Sequence, residues 1–154
     1  MKRRTSVLAP VAALLGAVAV VAGCGSNDEQ NSYVDDVNAI QTELVSDVTD
    51  ATSGAAATGP DGAAIVAGDL RQVFTETADQ LDAVAPPSEV AELHQQLVDS
   101  VRKVADQISQ AEKAFSNGNA QQASQAAVAL QSATTEAQTD LNTIITEINS
   151  ELGS

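Results

Sequence analysis

Apolar residues recur along this chain at alternating intervals of four and three, the mark of a helix face that keeps touching a neighbour over many turns. The longest such stripe is Val90, His94, Leu97, Val101, Val104, Ile108, Ala111 and Phe115. It begins after Pro86-Pro87-Ser88, where the prolines stop a preceding helix and Ser88 or a nearby residue is placed to cap a new one, and it ends at the glycine signal Asn117-Gly118-Asn119. A second stripe, Ala123, Ala127, Leu130, Thr134, Ala137, Leu141, Ile144 and Ile148, follows with Asn119 as its expected cap. Upstream, Ala63, Ala67, Leu70, Phe74, Thr77, Leu81 and Val84 obey the same rule, with Asp61 as the expected cap after Gly59-Pro60. A first helix is read from Val34, Val37, Gln41, Leu44, Val48 and Ala51, flanked by Ile40 and Val45 and ending near Thr52-Ser53-Gly54.

No segment alternates with a period of two or concentrates β-branched and aromatic residues, so nothing supplies a sheet. The pattern predicts an all-α domain, an up-down-up-down four-helix bundle over residues 33–154, with helices of roughly 20–30 residues joined by short turns. Phe74 and Phe115 fall on seams and are read as core fillers, and Tyr33 as a staple at the start of the first helix. Many seam positions are alanine, which lets helices approach closely but buries little apolar area per residue, so stability is expected to be modest.

The N-terminus follows a different logic. Lys2-Arg3-Arg4 is a cationic stretch, and Val7 to Ala22 is an apolar run of 16 residues interrupted by Pro10 and Gly16, shorter than the roughly 20 a spanning helix needs. The run ends at Val21-Ala22-Gly23-Cys24, which resembles the bacterial lipobox. That resemblance implies export, a diacylglyceryl group on Cys24, cleavage before it, and display on the extracytoplasmic side of the cell membrane. Residues 1–23 are thus read as a lipoprotein signal peptide and 24–32 as a lipidated flexible tether. Two acyl chains hold a protein stably at a membrane where one holds it only marginally.

Charge narrows the partners. The 154-residue chain carries 7 Lys and Arg against 21 Asp and Glu, a formal net charge of -14. Cleavage before Cys24 would leave Arg71, Arg102, Lys103 and Lys113 as the cations and about -17 net. Such a surface repels nucleic acid and anionic lipid headgroups alike, so attachment falls to the lipid on Cys24.

Candidate chemistry is sparse, with one His, one Cys, one Tyr, two Phe and no Trp. His94 sits on a seam, and two readings stand: a ring packed near the end of the bundle with one nitrogen bonded to a polar neighbour, or a ligand or proton switch. A di-iron bundle needs Glu-x-x-His pairs on two helices, whereas Ala91 lies three before His94 and no second His exists. Haem attachment and structural zinc fail for want of further Cys and His. Carboxylate pairs such as Asp79-Asp82 and Glu89-Glu92 lack the spacing of a calcium loop and are read as a solvated acidic face. No catalytic residues, metal or cofactor are therefore expected.

The stretch Val84-Ala85-Pro86-Pro87-Ser88-Glu89-Val90-Ala91-Glu92-Leu93-His94, within an Ala-rich bundle, resembles small secreted helical lipoproteins of high-GC Gram-positive bacteria. Those proteins have no settled activity to carry onto residues here. The expected function is a non-enzymatic interaction or structural module of the cell envelope with an unidentified envelope protein as partner. The alternatives are a carrier of a small apolar ligand or of cations, and an accessory subunit of a transporter or cell-wall enzyme.

Overall fold

The computed structural model describes residues 28–53, 60–117 and 119–153. Over these residues the chain forms four helices and no strands: α1 (Asp28–Ser53), α2 (Pro60–Asp82), α3 (Ala91–Ser116) and α4 (Ala120–Leu152), with a 3₁₀ turn at Ser88–Val90 leading into α3. They pack as the expected all-α four-helix bundle. Interhelical pairs run in opposite senses between consecutive helices, as in Gln80 with Glu43, Arg71 with Glu112 and Lys103 with Asp140. The α2–α3 interface is the most extensive, α3–α4 and α1–α2 follow, and α1 and α4 share none comparable.

All eight positions of the α3 stripe are buried, and so are Val98 and Ala105 beside it. The stripe is wider than a two-helix seam because α3 lies against both α2 and α4 and must be apolar toward each. In α2 the same widening adds Val66 and Ala78 to the expected set. Phe74 and Phe115 are core residues, 2% and 1% exposed. Thr77 and Thr134 lie in the core without stranding a hydroxyl, since each donates to the carbonyl four residues earlier, Val73 and Leu130.

The helix starts depart from the sequence reading in three places. Helix α1 begins at Asp28, so residues 28–32, expected in the flexible tether, form its first turns, and Asp28 and Glu29 complement the positive end of its dipole. Pro60 occupies the first position of α2, where its missing N–H costs nothing, which moves Asp61 inside the first turn and out of the capping position. Ser88 does not cap α3 either: its hydroxyl donates to Glu89, and the residue preceding α3 is Val90, which has no capping side chain and is fully buried. Asn119 does cap α4, its side-chain oxygen accepting from the N–H groups of Gln121 at 3.0 Å and Gln122 at 3.2 Å. Helix α4 runs 33 residues, beyond the expected 20–30.

Three of the domain's cations bridge helices. Arg71 Nε donates to Glu112 at 2.9 Å, Arg102 reaches Asp82 at 3.1 Å and Asp79 at 3.9 Å, and Lys103 lies 3.8 Å from Asp140. All are partly solvated, so each contributes at most about 1 kcal/mol.

Candidate functional site

At one end of the bundle the N-terminal turns of α1 and α3 meet the C-terminal turns of α2 and α4. Into this end α3 sends His94, 4% exposed, and α1 sends Tyr33, 1% exposed. Position 94 falls on the core face because it sits four residues after Val90 and three before Leu97. Position 33 does so because Tyr33 stands beside Val34 and one turn before Val37, both of which are buried on the core face of α1.

Both imidazole nitrogens are bonded. Nε2 lies 3.0 Å from the carbonyl oxygen of Leu81, in the last turn of α2, and Nδ1 lies 3.1 Å from the hydroxyl of Tyr33. A carbonyl only accepts, so Nε2 carries the proton; in the neutral ring Nδ1 then accepts from the Tyr33 hydroxyl. The Leu81 oxygen also accepts the N–H of Val84 at 3.0 Å, so His94 completes the second lone pair of a carbonyl at a helix end, where no intrahelical donor is available. The two rings meet edge to face, centroids 5.5 Å apart at an interplanar angle of 72°. The result is a polar clasp joining α1, α2 and α3 inside an otherwise apolar core.

Burial pushes the His94 imidazole below its ordinary value, and the Leu81 carbonyl and the Asp82 carboxylate pull the other way without reversing it. Burial pushes the Tyr33 phenol up to about 12. The clasp is therefore neutral around pH 7, with both groups using their protons to bond each other and the backbone. Of the two readings of His94, the packed ring is the closer, but with two polar partners where one was expected. Tyr33 is more than a staple, being a fully buried member of the core. Chemically, the arrangement orders a tautomer and fastens helix ends; neither ring nitrogen is left to accept from or donate to a ligand.

Two surface depressions flank the helices. One, of about 460 Å³ between the 3₁₀ turn, the start of α3 and the end of α4, is edged by Glu89, Glu92, Glu147 and Glu151. Among the described residues no three His, Cys, Asp or Glu side chains converge to hold a metal ion. The other, of about 630 Å³, lies between the C-terminal half of α3 and the N-terminal half of α4. No described helix is long and apolar enough to cross a membrane. Val21, Ala22, Gly23 and Cys24 lie outside the described residues.

Scans against protein-family models, curated proteins and solved structures find no match to the chain.

Proposed function

We propose that the chain is an exported envelope lipoprotein, cleaved before Cys24 and anchored through a diacylglyceryl group on that residue, whose acidic helical bundle acts as a non-enzymatic interaction or structural module outside the cytoplasmic membrane. The observation that carries this reading is the order of features at the N-terminus: Lys2-Arg3-Arg4, the apolar run Val7 to Ala22, and Val21-Ala22-Gly23 immediately before the single cysteine of the chain. The charge supports it, because a domain this acidic has no basic face with which to hold an anionic membrane.

The bundle supports the second half of the reading. Every described buried side-chain nitrogen and oxygen has a hydrogen-bond partner within the fold, and His94 and Tyr33 bond to each other and to Leu81. An interior whose polar groups are mutually engaged favours work done by the outer surface over work done on a ligand inside.

Labelling cells with palmitate, comparing wild type with Cys24→Ala, tests the anchor. Incorporation into the membrane-associated wild-type protein and none into the variant is expected; equal incorporation overturns the reading. Affinity capture of the anchored form tests the module, a single recurrent envelope protein being the expected result.

A further inference from the structure

Helices α1 and α3 are equal in length and unequally held. Of 26 residues α3 buries nine, whereas α1 buries four of 26, Tyr33, Val34, Val37 and Val48. Three of those four lie within five positions at the head of α1, around the bond to His94. Between Val37 and Val48 nothing is fully buried, and Ile40 and Leu44 rest against the core half-covered.

Charge works against α1 as well. It carries seven carboxylates and no cation, and its neighbour α2 carries five carboxylates with Arg71 as the one cation. The ion pairs of the described residues, Arg71–Glu112, Arg102 with Asp79 and Asp82, and Lys103–Asp140, tie α2 to α3 and α3 to α4, and none reaches α1. Across the α1–α2 face Gln80 meets Glu43 in an exposed bond of 3.3 Å. At the head of α1 the Tyr33 hydroxyl bonds His94 Nδ1, and among the described residues it bonds nothing else. A segment with few buried apolar contacts opens at a lower free energy than the core it leaves.

A proton on Nδ1 removes the acceptor of that bond, leaves the phenol proton without a partner and places a cation where the histidine is 4% exposed. Moving α1 aside relieves both, because the phenol and that edge of the ring then meet water while Nε2 keeps the Leu81 carbonyl. The surroundings do not offset the charge. From α2, Asp82 favours the protonated ring without overcoming burial. On α1, Glu29 and Asp36, a turn either side of Tyr33, are exposed, and on α3 the residues a turn from His94, Val90, Ala91, Leu97 and Val98, are uncharged. Helix α4 turns Ile144, Ile148 and Leu152 inward, while Glu147 and Glu151 edge the outer depression with Glu89 and Glu92.

We propose that α1 is a strap that opens as one unit from a persisting core of α2, α3 and α4, with the Tyr33–His94 bond as its latch and a proton on His94 as the release. Opening bares the side of α2 that α1 covers, so acidity changes the surface the molecule presents.

Hydrogen exchange of the whole protein, followed by mass spectrometry and corrected for the pH dependence of the exchange chemistry itself, reads the opening directly. In wild type at pH 7.5, amides of α1 from Val34 to Val48 are expected to be about tenfold or more less protected than those of α3 from Leu97 to Ile108. Between pH 7.5 and 5.0 the protection of α1 should fall several-fold, with a ceiling of about thirtyfold for a ring that titrates at 6.5 when open and stays neutral when closed. His94→Gln keeps a donor for Leu81 and an acceptor for Tyr33 but has no titrating proton, and should abolish that fall. Equal protection of α1 and α3, or the same α1 protection at both pH values, overturns the proposal in wild type alone. A fall undiminished in a His94→Gln protein of unchanged circular dichroism overturns it as well.

Discussion

Tyr33 and His94 stand 61 residues apart in the chain and 3.1 Å apart in the fold, phenol hydroxyl to Nδ1. That single bond closes a path from α1 through the imidazole to the carbonyl end of α2.

Removing the hydroxyl isolates its contribution. Tyr33→Phe keeps the ring and its edge contact but leaves Nδ1 of a buried histidine without a donor. A loss of about 1–3 kcal/mol is expected, the cost of an unsatisfied buried acceptor. Urea unfolding followed by circular dichroism measures it, and a variant as stable as wild type would show that the bond adds nothing.

The same pair sets two edges of a pH profile. The folded imidazole titrates below its ordinary value of 6.5, so below that pH the unfolded chain binds more protons than the folded one. Its contribution is complete above 6.5 and declines as pH falls toward the folded value. The phenol is the mirror case: raised from 10.0 to about 12, its contribution is complete below 10 and is lost as pH climbs through 12. Melting curves across pH 5 to 12 should decline at both ends, His94→Gln flattening the acid edge down to pH 5 and Tyr33→Phe the alkaline one.

Gly68 lies inside α2, where glycine weakens a helix relative to alanine by about 0.5–1 kcal/mol. A methyl group there would meet only the carboxylate end of Glu112, at 3.4 Å, an ordinary contact. Gly68→Ala should therefore stabilise the fold by about that amount. A lower melting temperature would mean that the Arg71–Glu112 pair cannot accommodate the methyl.

Screening should matter unusually in a chain of net charge -14. At about 0.1 M salt the Debye length shrinks to roughly 10 Å, shorter than the spacing of many of its carboxylates. The melting temperature is expected to rise between 10 mM and 0.2 M sodium chloride, because weakened self-repulsion outweighs the loss of a few half-exposed ion pairs. A temperature that stays constant or falls would reverse that ranking.

Much of this architecture was readable before any coordinates. The α3 stripe from Val90 to Phe115 and the Asn119 cap stand where the spacing puts them, because a helix face and its first turn are local properties. Boundaries near proline were harder: Pro60 is compatible with the first helical position, and that alone displaces Asp61 from the cap. Tyr33 was legible as a staple at the start of α1, but neither its full burial nor its partner was, since which turn of α1 faces which turn of α3 depends on packing across the bundle. The extra breadth of α2 and α3, seen in Val66 and Val98, likewise follows from having two neighbours instead of one.

The thin attachment of α1, broad only toward α2, gives the molecule a direction in which it is weak. Any tension arriving through the residues before Asp28 enters at the head of α1 and meets Tyr33 as the first fully enclosed side chain. The phenol then works as a shear pin: pulling the leading helix outward loads one ring and one hydrogen bond before it disturbs the paired rods of α2 and α3.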